Sequence, residues 1–180
     1  DIQKSQMPEF RQIMETNNDV ISFDEAPMIR GIISKINGIP AKEFAGEHWV
    51  LSGDRGITYS SAPLVRSKIT EGVWWEPDYK GPAQISFAYE EGKEMGLSLG
   101  DELTVNIMGR DINATITSFR DVDFSSAGIG FIMSMNPYAL QSAPHSFIST
   151  VYANPKAEAE LLRKVAGKFP NITAVRIKEA

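Results

Sequence analysis

The sequence predicts an α+β fold, and three stretches carry that reading. Within the segment from Gly81 to Asp123, apolar and polar residues alternate from Leu103 to Ile107 and again from Ile112 to Thr117. Strict alternation on both sides of the turn Gly109-Arg110-Asp111 predicts a half-buried hairpin. Near the N-terminus, Phe10, Ile13 and Met14 fall at helical spacing behind Pro8, a residue suited to a first helical turn. Near the C-terminus, Leu161, Leu162, Val165, Ala166 and Phe169 form one apolar helix face, introduced by the cap signal Asn154-Pro155.

Taken in order, Asp1-Ile2-Gln3 reads as the end of a strand, and the first helix stops at Asn17-Asn18-Asp19. Val20 to Phe23 and Met28 to Ile36 read as strands, the second either separate or a continuation past Pro27. Asn37-Gly38 is a strong turn signal. From Ala41 to Pro82 the pattern predicts loops and short strands without a helix, with strands at Trp49-Val50-Leu51 and at Ile57 to Ser60. Ser86 is read as the N-cap of a short helix, with Glu90 and Glu91 in its first turn and Gly96 ending it in the left-handed conformation. Beyond the hairpin, Phe131 to Met135 and Phe147 to Ala153 read as strands, with a helical turn from Pro137 to Leu140. Alternation resumes from Ile172 to Glu179, where Val175 and Ile177 mark the buried face.

Two strand–helix–strand units therefore bracket a β-rich insert. Residues 1–40 with 142–180 are expected to form one lobe, a pair of βαβ units with a split, ferredoxin-like sheet and helices on one face. Residues 41–141 are expected to form the inserted β-rich lobe with one short helix.

The 180 residues are 42% hydrophobic with a net charge of -5, which suits a globular chain with a real core. No basic stripe is present, so a nucleic-acid partner is not expected. With no cysteine, disulfides, thiolate-bound zinc and a thiol nucleophile are excluded within the chain. No run approaches the ~20 apolar residues of a membrane span. The chain begins with Asp1 and reads as an excised segment, so any anchor or targeting sequence is expected outside these residues.

No local motif assembles a catalytic, cofactor or metal site. Gly-x-Ser-x-Gly is absent, and His48 and His145 read as ordinary loop residues. Asp121 and Asp123 read as strand-end residues, and the methionines, Met28, Met95, Met108, Met133 and Met135, as core filling before a greasy cleft. Two features remain as candidate interaction sites. Gly53-Asp54-Arg55-Gly56 invites a phosphate or carboxylate at Arg55, although a glycine turn with a local Asp54–Arg55 pair accounts for the same residues. Trp74 and Trp75, if on a strand, would place one ring in the core and one at a surface or interface.

Several pieces occur in a telling order: Met28-Ile29-Arg30-Gly31-Ile32-Ile33, Ile36-Asn37-Gly38-Ile39-Pro40, Gly53-Asp54-Arg55-Gly56-Ile57-Thr58-Tyr59-Ser60, Gly72-Val73-Trp74-Trp75 and Gly96-Leu97-Ser98-Leu99-Gly100-Asp101. They are followed by Asn106-Ile107-Met108-Gly109-Arg110 and Phe119-Arg120-Asp121-Val122-Asp123. Together they resemble a periplasmic domain of FtsX-like, MacB-type ABC-transporter permeases, in the YbbP-like, lysophospholipase-associated branch. The resemblance implies a porter-like lobe carrying an inserted β-rich lobe, at the periplasmic face of the bacterial inner membrane. It implies no enzymatic role and no cofactor in this domain, since ATP is expected on a separate cytoplasmic ATPase subunit reached through the membrane part of the same permease. The chain has no Gly-rich phosphate loop, as that arrangement requires. The implied function is to transmit ATP-driven motion to the handling or export of a lipophilic cargo. The alternative is an adaptor that binds a periplasmic protein, such as a hydrolase, without contacting cargo.

Overall fold

The structure, a computed structural model, describes residues 1–64, 67–124 and 130–175. Strand β1 (Ile2–Gln3) leads into helix α1 (Met7–Thr16), and β2 (Val20–Ile36) follows as one long strand that runs through Pro27. A tight turn with positive φ at Asn37 and Gly38 (51° and 80°) returns the chain as β3 (Ile39–Pro40). Then come α2 (Ala41–Ala45), β4 (Arg55–Tyr59), β5 (Lys68–Gly72), β6 (Gln84–Ala88) and α3 (Tyr89–Glu94). The hairpin is β7 (Glu102–Ile107) with β8 (Arg110–Asp121), and β9 (Met133–Met135), α4 (Pro137–Leu140), β10 (Ser146–Ala153) and α5 (Glu158–Lys168) complete the order.

Contacts divide the described residues into two compact units, and the division falls inside β2, after Met28. In the first unit the strands lie in the order β1–β10–β2, each antiparallel to its neighbour. β1 and the first half of β2 are thus parallel strands joined by α1, with β10 inserted between them, which is a split βαβ arrangement. Phe10, Ile13 and Met14 of α1 and Leu161 and Val165 of α5, with Phe169, pack together over Phe23, Phe147 and Val151. The Phe10 and Phe169 rings meet with centroids 6.3 Å apart. Asn154 accepts a hydrogen bond from the Lys156 amide, so the predicted cap forms, and it opens a 3-10 turn before α5.

In the second unit the pairings run β2–β4–β9–β6–β8–β7 and return from β7 to β2, a closed circuit of six strands. Ile57, Ile85, Phe87, Val105, Ile116, Phe119, Met133 and Met135 form its core. Helix α3 packs against that core through Gly92, where an added Cβ would stand 2.6 Å from the Phe119 ring. Lys93 lies over the same ring at 4.6 Å and pairs with Glu71 at 2.9 Å.

Most of the expected elements form, and the departures have physical reasons. Ser86 is no helix cap: it sits inside β6, paired on both sides by β8 and β9, and α3 starts only at Tyr89. Burial of a strand between two neighbours outweighs the local capping preference of serine. Trp49–Leu51 is a 3-10 turn instead of a strand, capped by the His48 ring, which accepts the Val50 amide at 3.2 Å. A helix, α2, does occur within 41–82, because Ala-Lys-Glu-Phe-Ala is a run of good helix formers after Pro40. Val175 was expected on a buried face, yet it is 77% exposed and residues 172–175 form no strand. The remainder of that predicted strand, including Ile177, lies outside the described residues. Met95, Met133 and Met135 are core residues, whereas Met108 sits exposed at the hairpin turn.

Candidate functional site

Strand β5 ends at Gly72, so the two tryptophans lie in the loop that follows it and strand alternation does not govern them. They are arranged by hydrogen bonding instead. Trp75 Nε1 donates to the Ser60 carbonyl at 2.8 Å, and Trp74 Nε1 donates to the Ser61 carbonyl at 3.0 Å. The rings stack with centroids 4.0 Å apart and planes 34° from parallel. Trp75 is 5% exposed and belongs to the core, which removes it as the centre of a surface patch. Trp74 is half-buried, and the adjacent Val73 is 76% exposed. Both indole N–H groups are committed to backbone, so this loop offers an outside partner apolar and aromatic surface and no donor.

The loop is held in place by Gly72, whose φ of +78° only glycine adopts without strain. Val73 then donates to the Thr117 carbonyl at 3.1 Å, fixing the direction in which the chain leaves β5.

Asp54 and Arg55 do not pair with each other. Asp54 takes Arg30, with Arg30 Nη2 3.2 Å from Oδ1, in an ion pair about half exposed on both sides. Arg55 instead donates from Nη2 to the Ser52 carbonyl at 3.0 Å and stacks over the Trp49 ring at 5.3 Å. With that geometry Arg55 clasps the start of β4 to the Trp49 turn through Nη2 and the ring, while its Nε is buried with no hydrogen-bond partner. The two candidate pairs are also apart. β4 runs from Arg55 toward Ser60, where the tryptophans are tied, a span of roughly 17 Å at ~3.3 Å per strand residue.

No local sequence pattern marks a third feature, Arg120 on β8, which is 1% exposed. Its Nη1 donates to the Ser86 carbonyl at 2.8 Å and its Nη2 to the Phe131 carbonyl. Burial pushes its guanidinium down to about 10, and the opposing charge of Glu91 works against that shift. Glu91, itself buried, is held above the ordinary carboxyl range by desolvation. Among the described residues no group of three or more acidic, histidine or cysteine side chains could hold a metal ion, and no helix is long and apolar enough to cross a membrane.

No family model matches the chain. A crystal structure of a domain of a proposed permease protein from Porphyromonas gingivalis aligns over 88% of this chain and 74% of that one, with a TM-score of 0.47 and 13% identity. The chain is also 26% identical over 156 residues, 84% of its length, to the uncharacterized ABC transporter permease YbbP of Escherichia coli strain K12, and spans 18% of that protein. The sequence match runs through both units, so in sequence the chain is similar to a segment of an ABC-transporter permease, in keeping with the FtsX-like, MacB-type resemblance of the motifs.

Proposed function

We propose that this domain stands at the periplasmic face of the bacterial inner membrane. There it transmits ATP-driven motion of the membrane subunits to the handling or export of a lipophilic cargo. The supporting observation is the match to a permease over 84% of the chain. ATP is held by a separate cytoplasmic ATPase subunit, reached through the membrane-embedded part of the same permease, and this domain performs no covalent chemistry. A second reading, an adaptor that binds a periplasmic protein, draws on the exposed Val73 beside half-buried Trp74, an apolar surface with no free donor.

Native mass spectrometry of the purified chain, before and after incubation with lysophospholipids and fatty acids, separates the two. The cargo reading predicts a bound apolar molecule at substoichiometric occupancy. A ligand-free spectrum in both conditions contradicts cargo contact and leaves the adaptor reading.

A further inference from the structure

A row of hydroxyl residues crosses the closed sheet of the second unit. Thr58 on β4 pairs with Ser134 on β9, Ser134 pairs with Ser86 on β6, and Ser86 pairs with Ser118 on β8. All four side chains have no solvent exposure. Directly paired residues point to the same side of a sheet, so the four share one face. Ile57, Phe87, Phe119 and Met133, their chain neighbours, point the other way, into the apolar core. Arg120 lies two residues beyond Ser118 and so joins the hydroxyl face, where its guanidinium reaches across β6 to the Ser86 and Phe131 carbonyls.

Several polar groups on this face lack partners. Ser118 donates to Ser86 at 2.7 Å, which leaves the Ser86 hydrogen to turn along the same face. Arg120 Nε, Ser134 Oγ and Asn136 Nδ2 are buried with no hydrogen-bond partner. The carbonyl and amide oxygens beside them each already accept a hydrogen bond: those of Ser86 and Phe131 from Arg120, and Asn136 Oδ1 from the Gln84 amide at 2.9 Å. Among the described residues no carboxylate is within ion-pair distance of Arg120. A buried charge of this kind is costly unless it is neutralised and its donors are used. Arg120 Nε and Asn136 Nδ2 can only donate, so whatever meets them must accept. An anion only accepts, and it places a negative charge directly against the guanidinium, which Glu91 meets only from beyond ion-pair distance.

We propose that the face bounded by Arg120, Ser86 and Ser134 binds a small monovalent inorganic anion of halide size, taken up as the second unit folds. It is an internal site on β6, β8 and β9, separate from the tryptophan loop. The anion completes the donor-rich strip and fixes β8 against β9, so the unit is more stable where such an anion is present.

Two measurements on the purified chain test this with bromide as the probe. In thermal unfolding at constant ionic strength, replacing gluconate by bromide raises the midpoint of the wild type. Ser134→Ala, which deletes one donor and little volume, shifts that dependence to about tenfold higher bromide. In crystals grown with bromide, an anomalous peak lies within hydrogen-bond reach of Arg120 Nε and Ser134 Oγ. A midpoint indifferent to bromide, or an equal response in Ser134→Ala, overturns the site, since a general salt effect acts alike on both chains. A crystal with bromide confined to the surface overturns it as well.

Discussion

Trp75→Ala is expected to lower stability by about 3–5 kcal/mol, the range for removing a large aromatic side chain from a core. The ring is 5% exposed, so its truncation leaves a cavity and not a solvated gap. It also strips the Ser60 carbonyl of a 2.8 Å hydrogen bond and removes the ring on which Trp74 stacks. Trp74→Ala is the contrast: that side chain is half-buried, and the stacking it forfeits is worth about 0.5–1.5 kcal/mol beyond lost area. Urea unfolding of both variants checks the order. Equal losses, or a larger loss for Trp74→Ala, contradict the assignment of Trp75 to the core and Trp74 to the surface.

Gly72→Ala is expected to cost about 2–5 kcal/mol, combining left-handed backbone strain with overpacking. Its φ is +78°, and an added Cβ would stand 2.2 Å from the Thr117 carbonyl oxygen. Backbone, unlike a flexible side chain tip, cannot step aside without dragging β8. The damage falls on the Val73–Thr117 bond and hence on the loop that carries both tryptophans. Thermal unfolding combined with tryptophan fluorescence reads both effects, a lower midpoint and a red-shifted emission. A variant with native midpoint and native emission contradicts this account of the loop. Gly100→Ala is a useful comparison, since that glycine also has positive φ but an added Cβ meets nothing within 4 Å.

What was legible in the sequence follows from how local each signal is. The β7–β8 hairpin, the Asn37-Gly38 turn, the left-handed Gly96 and the Asn154 cap depend on neighbours in the chain, and all four form. The α1 and α5 faces were legible because Phe10, Ile13 and Met14, and Leu161, Val165 and Phe169, repeat at helical spacing and are buried. Ser86 was misread because its surroundings are supplied by β8 and β9, strands distant in sequence. The same is true of Arg120: its hydrogen-bond partners come from β6 and from Phe131, and no local pattern announces them. At Gly53-Asp54-Arg55-Gly56 the turn was legible and the partners were not, since Asp54 reaches Arg30, 24 residues away in sequence, and Arg55 turns back onto Trp49. The tryptophan pair was found by composition, but which ring is buried is decided by the carbonyls of Ser60 and Ser61.

The proposed function requires this domain to move with the ATP cycle of a permease. Because the chain has no cysteine, Met108→Cys at the exposed hairpin turn gives it a single spin-label site. A second label belongs in the membrane part of the full-length permease, assembled with its ATPase in lipid nanodiscs. Pulsed dipolar spectroscopy then measures the label-to-label distance without nucleotide and in an ATP-trapped state. The account predicts distance distributions that shift between the two states and return after hydrolysis. Distributions that stay the same through the whole ATP cycle, in a preparation that hydrolyses ATP, would contradict it.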